Sequence, residues 1–314
     1  MTTVRIATRG SDLALAQARY VAGRIEGELG LETEIVVLST KGDRIQNVSL
    51  AKIGGKGLFI KEIEEALLDG RADVAIHSAK DLPADIAPGL ELAAFPERAD
   101  PRDALICRSG TRCLADLPQG ARIGTGSTRR AALLLAHRPD LEMVPLRGNV
   151  PTRLARLEED DLAAVVLACA GLDRLGRSAV ISERISPEIL LPAVCQGMLA
   201  LEGRAGESLT RDLGQLSSPE NVAVARAERA FLGRLGGDCT VPLAAHFKVV
   251  EGEGLAGKGL VSSLDGRSIA RSSVDGSAER PEEAGETLAV QVLRKGGDEI
   301  LEELRREASG ASPS

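Results

Sequence analysis

Two arginine-bearing turns lie close together in a chain of 314 residues whose formal net charge is −7, at residues 124–130 (GTGSTRR) and 146–153 (LRGNVPTR). The first turn precedes an alanine- and leucine-rich helical segment, so its backbone N–H groups and the Ser127 hydroxyl can meet an anion at a helix N-terminus. Arg129 and Arg130 would add forked, permanently charged donors. The pattern indicates an anion site, although a solvated helix start with two surface arginines is the simpler interpretation of this turn alone.

A candidate carboxylate follows a short apolar run at residues 77–83 (HSAKDLP). This spacing places Lys80 and Asp81 at the carboxyl end of a buried strand, where α/β folds usually bind ligands. The alternative is a Lys–Asp surface pair before a proline turn, and such exposed pairs contribute little to stability.

Cys239 lies in a glycine-rich loop, GGDC at residues 236–239, directly after a helical segment. Its thiol could be exposed and reach away from its own domain, although an inert loop cysteine is the simpler interpretation. The other four cysteines lie in more apolar settings and are interpreted as small buried hydrophobic residues. The cysteines form no C-x-x-C pair and have no zinc-ligand spacing to histidine, so we expect reduced thiols and no metal.

Composition and motifs exclude several classes of function. Aromatic residues make up 2% of the chain, which contains no Trp and is acidic, so a nucleic-acid binder is not expected. The loop at residues 54–57 lacks P-loop spacing, and Arg129 stands where a dinucleotide fingerprint needs glycine. The start of the chain has no signal-peptide pattern and no apolar run reaches membrane-spanning length, so the sequence predicts a cytoplasmic protein without a membrane partner.

The order of the elements predicts an α/β protein. A strand at 4–8, a helix from Ser11 to about residue 29 and a strand at 33–39 make a βαβ start, followed by a helix at 58–69 and a strand at 74–77. The polar segment 96–103 indicates a crossing into a second unit of the same kind, which includes a central strand within the run 162–170.

The chain is expected to return to the first unit at residues 191–197, and Ser218 with Pro219 begins a third unit. In this third unit, strands are expected at 244–250, 259–263 and 268–274, with a helical region from 281 to about 308. The predicted domains are therefore a discontinuous α/β lobe, a second α/β lobe and a small α+β domain, at residues 1–98 with 195–217, 102–191 and 218–308.

An ordered set of motifs along nearly the whole chain resembles the porphobilinogen deaminase family, whose members are also called hydroxymethylbilane synthases. Each motif alone is weak, whereas the ordered set is specific. The motifs are RIATRGS at 5–11, AKIGGKGLF at 51–59, HSAKDLP at 77–83, the arginine pair at 129–130, LRGN at 146–149, AGLDRL at 170–175 and GGDC at 236–239.

The resemblance implies two lobes like those of periplasmic binding proteins, with an active cleft between them, and a monomer. It implies a dipyrromethane cofactor attached to Cys239 by a thioether. Four porphobilinogen molecules would be added head to tail with loss of ammonia, and water would release hydroxymethylbilane, a step of tetrapyrrole and heme biosynthesis.

The resemblance also implies roles for individual residues. Asp81 matches the catalytic carboxylate, which bonds pyrrole N–H groups and stabilises developing positive charge. Other matched positions bind the acetate and propionate groups of the pyrroles, each charge-assisted bond contributing about 1.5–3 kcal/mol. For the cofactor they are Ser11, Lys80, Ser127, Arg129, Arg130, Arg147 and Gly148, and for the substrate they are Arg9, Lys52, Arg147, Arg153 and Arg174.

Two positions depart from the family pattern. Gly126 stands where relatives often have serine, and Cys195 stands where glycine is usual, near the expected return between units. A non-catalytic, two-lobed anion-binding module is the main alternative function. Cys239 separates the two hypotheses, because a simple binding protein does not need this thiol.

Overall fold

The computed structural model describes residues 3–39, 60–108, 110–236, 241–252 and 254–308. These residues form two five-stranded sheets and one three-stranded sheet. The two larger sheets each carry helices and make two α/β lobes, and the third sheet belongs to a small α+β domain. The predicted fold class is thereby confirmed.

The first lobe has the strand order β2-β1-β3-β10-β4, in which β1 runs parallel to β2 and β3, and β10 runs antiparallel to β3 and β4. Its strands are β1 (Val4–Arg9), β2 (Thr33–Leu38), β3 (Val74–Ser78), β4 (Leu90–Ala94) and β10 (Leu199–Arg204). Its helices are α1 (Asp12–Arg24), α2 (Lys61–Leu68) and α6 (Ser208–Leu213). The predicted cap of α1 is confirmed, since the Ser11 side chain accepts from the Ala14 N–H.

The second lobe repeats this arrangement with the order β7-β6-β8-β5-β9, in which β6 runs parallel to β7 and β8. Its strands are β5 (Asp103–Cys107), β6 (Arg122–Thr125), β7 (Glu142–Pro145), β8 (Ala164–Ala168) and β9 (Glu183–Ile185). Its helices are α3 (Thr128–His137), α4 (Val150–Glu159) and α5 (Cys169–Arg174). The predicted central strand ends at Ala168, two residues earlier than the apolar run, because Cys169 and Ala170 are already in α5.

The chain passes twice between the lobes, through a first crossover at 95–102 and a second crossover at 186–198. The second crossover returns the chain to β10 in the first sheet. This path agrees with a discontinuous first domain, whose exact limits stay a prediction.

The third domain packs two helices, α7 (Pro219–Leu235) and α8 (Pro281–Val292), on an antiparallel sheet of β11 (Leu243–Val250), β12 (Gly254–Ser262) and β13 (Ile269–Ser277). Strand β12 starts earlier than predicted, at Gly254, because this residue already pairs with Val250 of β11 and Ser277 of β13. The predicted Ser218 cap is confirmed by its bond from the Asn221 N–H at 3.1 Å. A wide turn separates α8 from α9 (Asp298–Ala308).

Parallel strands bring the predicted site residues to one edge of each lobe. In the first lobe, β1 and β3 end beside each other, so the segments carrying Arg9 and Asp81 leave the same sheet edge. In the second lobe, β6, β7 and β8 lead into the segments carrying Arg129, Arg147 and Arg174. Such carboxyl-end edges are the usual ligand sites of α/β sheets. Among the helices of the described ranges, none has the length and apolar character needed to cross a membrane.

Candidate active site

The first arginine turn forms a buried ion cluster around Asp103. Arg129 and Arg130 are only 4% and 5% exposed, and Asp103 is fully buried. Arg130 Nε donates to Asp103 Oδ1 at 2.9 Å, and Arg129 Nη1 lies 2.8 Å from Oδ2. The interpretation of this turn as a solvated helix start with two surface arginines is therefore wrong.

The cluster keeps an excess of positive charge, because two guanidinium groups share one carboxylate. Burial by itself would raise the pKa of Asp103, yet the charges of Arg129 and Arg130 override that effect and hold the pKa well below its usual range. Arg129 Nη1 also donates to the Leu191 carbonyl at 2.6 Å. Its Nε atom is buried and has no hydrogen-bond partner among the described residues. An anionic ligand could accept a hydrogen bond from this buried donor.

The second arginine turn is much more open. Arg147 and Gly148 are exposed, and Asn149 caps α4 by accepting from the Thr152 N–H at 2.9 Å. Arg153 Nε donates to the neutral Gly148 carbonyl at 2.8 Å. Burial lowers the pKa of Arg153, Arg130 lowers it further, and the negative charge of Asp81 opposes the shift.

Lys80 and Asp81 lie at the end of β3 in a single 3₁₀ turn, Ala79–Asp81, and Asp81 is exposed. Burial, reinforced by the charge of Arg130, lowers the pKa of Lys80 to about 8, while Asp81 and Asp103 oppose that shift. Asp81 thus acts on Lys80 in its own lobe and on Arg153 in the other. The structure brings together Lys80, Asp81, Arg129, Arg130 and Arg153.

Arg9, Ser11 and Arg174 lie where α1 approaches α5, whereas Ser127 caps α3 by accepting from the Arg130 N–H at 3.4 Å. Ser11 uses its hydroxyl as the cap of α1, and Arg9 is half-buried at the end of β1. A side chain added at Gly171 of α5 would lie 3.6 Å from Leu13 Cδ2. At the end of α5, Arg174 Nη2 donates to the Gly197 carbonyl of the second crossover at 2.7 Å. Lys52 and Cys239 fall outside the described residues.

Two residues at the lobe junction were not predicted from the sequence, Asp103 and Gln196. Gln196 is 1% exposed, and its Nε2 donates to Asp103 Oδ1 at 2.9 Å. The segment carrying Asp103 was interpreted only as a crossing between units. The available signal was weak: a carboxylate that begins an apolar strand needs a cation partner if it is buried, but the sequence does not show which cation.

The two departures from the family pattern have structural correlates. A Cβ atom at Gly126 would lie 2.3 Å from the Leu146 carbonyl oxygen, so this backbone has no room for a side chain. Cys195 has a φ of +56°, in the left-handed region that favours glycine. Burial, together with the nearby Glu228 carboxylate, raises the pKa of the Cys195 thiol to about 12, so this thiol is not a reactive one.

Comparison with known proteins gives a consistent result. The family model described as porphobilinogen deaminase, dipyromethane cofactor binding domain, matches residues 4–212, and the model described as porphobilinogen deaminase, C-terminal domain, matches residues 222–294. The porphobilinogen deaminase of Syntrophotalea carbinolica is 50% identical over 302 residues, covering 96% of this chain and 95% of that protein. That of Syntrophomonas wolfei is 48% identical over 308 residues, covering 98% and 100%. A solved periplasmic substrate-binding protein of an ABC transporter from Coxiella burnetii aligns with a TM-score of 0.41 and 14% identity, over 68% of this chain and 91% of that one.

Proposed function

Because this chain belongs to the porphobilinogen deaminase family, we propose that its reaction takes place where the two α/β lobes meet, with Asp81 as the catalytic carboxylate. The family assignment confirms the predicted transferase of tetrapyrrole and heme biosynthesis, which condenses four porphobilinogen molecules on a dipyrromethane primer and releases hydroxymethylbilane. It also confirms the dipyrromethane cofactor and leaves no support for the non-catalytic anion-binding module.

One observation carries the assignment of the site: the exposed Asp81 directly follows Lys80, whose Nζ donates to Gln196 Oε1 beside the Asp103 cluster of the second lobe. Substrate and cofactor bear acetate and propionate groups, so their site needs several cations around one catalytic anion. Lys80 and Arg153 supply positive charge within electrostatic range of Asp81, and the Arg129–Arg130 cluster adds one net positive charge.

The residues present fit the cofactor. The buried, unpartnered Arg129 Nε can donate to a carboxylate, and such a bond offsets the cost of leaving a buried donor unpaired. We assign cofactor binding to residues around this donor and along the lobe edges, with covalent attachment at Cys239. These residues are Ser11, Lys80, Ser127, Arg129, Arg130, Arg147 and Gly148.

When bound, the dipyrromethane supplies the free pyrrole α-carbon to which substrate is joined. The Asp81 carboxylate accepts a hydrogen bond from the pyrrole N–H and stabilises the positive charge that develops on the substrate as ammonia leaves.

A second group of cationic side chains orients the substrate. The negative charge of Asp81 acts on Arg153, whose Nε is fixed by the Gly148 carbonyl. A guanidinium with one donor fixed on backbone retains further donors for a carboxylate. We assign binding of the porphobilinogen side chains to Arg9, Lys52, Arg147, Arg153 and Arg174.

We further propose that the chain works as a cytoplasmic monomer that binds neither nucleic acid nor membrane. The biosynthetic reaction of the family supports the cytoplasmic location, and the net charge of −7 argues against nucleic acid. The proposed domains are residues 1–98 with 195–217, 102–191 and 218–308.

The attachment at Cys239 is tested by intact mass. The wild type and Cys239→Ser are expressed in cells that make porphobilinogen, with Cys113→Ser as a control at another cysteine that is half-exposed. We expect an added mass of two deaminated pyrrole units in the wild type and in Cys113→Ser, and none in Cys239→Ser. A wild type that shows its bare sequence mass, and stays bare when given porphobilinogen, would refute the attachment.

A further inference from the structure

The side-chain amide of Gln196 joins the two crossovers between the lobes. Its Nε2 donates to the Pro101 carbonyl of the first crossover at 2.7 Å and to Asp103 Oδ1 at 2.9 Å. Its Oε1 accepts from Lys80 Nζ of the first lobe at 3.5 Å. Since the side chain is 1% exposed, water does not compete for these bonds.

The orientation of this amide is fixed by its surroundings. The NH2 group faces two oxygen acceptors, and the oxygen faces an ammonium group. A flip of the amide would place its oxygen against the carboxylate and the carbonyl, and its NH2 against the cation, so every contact would become repulsive. The observed amide therefore connects opposite charges through one polarised group.

We propose that Gln196 is a positioning residue that holds the Lys80 ammonium of the first lobe against the Asp103 cluster of the second. The hydrogen bonds of Gln196 do not depend on the proposed function of the cleft, and only their consequence for catalysis rests on it. Without the amide, Asp103 would retain both arginines, but Lys80 would lose its link to that cluster.

The charge state of Lys80 reports on this link. Lys80 is faced by Arg129 and Arg130 from α3, by Asp103 from β5 and by Asp81 from its own turn, and with burial these groups set its pKa at about 8. A neutral carbonyl acceptor favours the ammonium form. Removing the acceptor should lower the pKa of Lys80, whereas replacing it with a carboxylate should raise it.

Two substitutions separate the proposal from a packing role. Gln196→Met has nearly the same shape and removes the donor and the acceptor, whereas Gln196→Glu keeps an acceptor for Lys80 and adds negative charge. Gln291→Glu is the matched control, because the Gln291 amide accepts from Ser272 in the third domain. The titration midpoint of Lys80 is measured in the cofactor-loaded enzyme by competitive labelling with acetic anhydride and peptide mass spectrometry.

We expect the Lys80 midpoint to fall by roughly half a pH unit or more in Gln196→Met, to rise in Gln196→Glu and to stay unchanged in Gln291→Glu. A midpoint unchanged in Gln196→Met would overturn the proposal, as would equal shifts in one direction in both Gln196 variants. Gln196→Met buries no new charge, so it decides the question even if Gln196→Glu does not fold.

The same variants separate this inference from the proposed function of the cleft. If the Lys80 midpoint moves as expected while the fraction of protein that carries the cofactor, measured by intact mass, is unchanged, the positioning role of Gln196 stands and the cofactor-binding role of Lys80 fails. If the midpoint moves and the cofactor-carrying fraction falls with it, both stand.

Discussion

The two arginine turns of the second lobe are built alike and used differently. Each follows one of two paired parallel strands, β6 or β7, and each begins a helix with a side-chain cap, Ser127 or Asn149. In the first turn the arginines are buried on Asp103, whereas in the second turn Arg147 is exposed. The position of the counter-ion, and not the residue type or the cap, separates a buried, paired cation from an exposed one.

The difference also sets what each turn offers to an anion. The first turn presents a rigid cluster with one net positive charge and one unsatisfied buried donor. In the second turn, Arg147 and Arg153 form no ion pair with a carboxylate of the described residues. Substitutions in the first turn should therefore act on stability as well as on cofactor binding, and substitutions in the second on binding alone.

The largest expected effect is that of Asp103→Asn. It leaves two buried guanidinium groups without a counter-charge, and breaking a buried pair in this way costs about 3–5 kcal/mol. Asp140→Asn in the same lobe is the control, because the Arg138–Asp140 pair is partly exposed and such pairs contribute about 1 kcal/mol or less. Urea unfolding measures both variants, and equal losses would contradict the contrast between buried and exposed pairs.

Arg147→Gln should weaken substrate binding and leave stability nearly intact. Loss of a charge-assisted bond of about 1.5–3 kcal/mol corresponds to roughly a tenfold or greater loss in affinity. Its free energy of unfolding should change by no more than about 0.5 kcal/mol, as for other surface substitutions. The KM for porphobilinogen and the urea midpoint are measured together with those of Arg130→Gln. If Arg147 had a structural role like that of Arg130, the urea midpoint would fall equally in Arg147→Gln and Arg130→Gln, and the contrast between the two turns would be wrong.

The binding of anionic ligands should weaken as pH rises through about 8, where Lys80 loses its charge. Burial places the pKa of Lys80 below its usual 10.5, so between these two values the folded protein holds a neutral amine where the unfolded chain holds an ammonium. The unfolded state binds more protons in this window, so this group makes stability rise with pH there while it makes ligand affinity fall.

The pH dependence is measured by intact mass as the fraction of protein that takes up the cofactor at each pH, in the wild type and in Lys80→Met. The alkaline fall of this fraction should be present in the wild type and absent in the variant. An identical alkaline fall in both proteins would assign it to another group.

The smallest expected effect concerns the two helix caps. Asn149→Ala should cost about 1 kcal/mol, because it removes bonds from the Thr152 N–H at 2.9 Å and from its hydroxyl at 2.7 Å. Ser127→Ala should cost less, since Ser127 accepts from the Arg130 N–H at 3.4 Å and Asp103 already holds that helix start. Thermal unfolding of the two variants decides the order, and a larger loss in Ser127→Ala would reverse it.

The sequence predicted what local pattern controls. The alternation of strands and helices, the caps at Ser11 and Ser218, and the turns after β3 and β6 follow from periodicity and from side chains that bond within three residues. The end of β8 at Ala168 could not be read from an apolar run, because a buried strand and the first turn of a buried helix have the same composition.

The junction of the lobes could not be predicted in this way. Asp103 meets Arg130 across 27 positions of the chain, and Gln196 meets Lys80 across 116. No local pattern encodes such contacts, because they depend on how elements distant in the chain pack together. The family resemblance supplied candidate ligand-binding residues, but it did not show that the first arginine pair is buried on a carboxylate.

The central claim is that Asp81 performs the chemistry while the arginines position the substrate, and single-turnover kinetics of cofactor-loaded Asp81→Asn tests it most directly. Asp85→Asn, a neighbouring exposed carboxylate, is the matched control. We expect Asp81→Asn to keep the wild-type urea midpoint and to lose about a hundredfold or more in the rate of substrate addition, with Asp85→Asn near normal. A near-normal rate in folded, loaded Asp81→Asn would contradict the account.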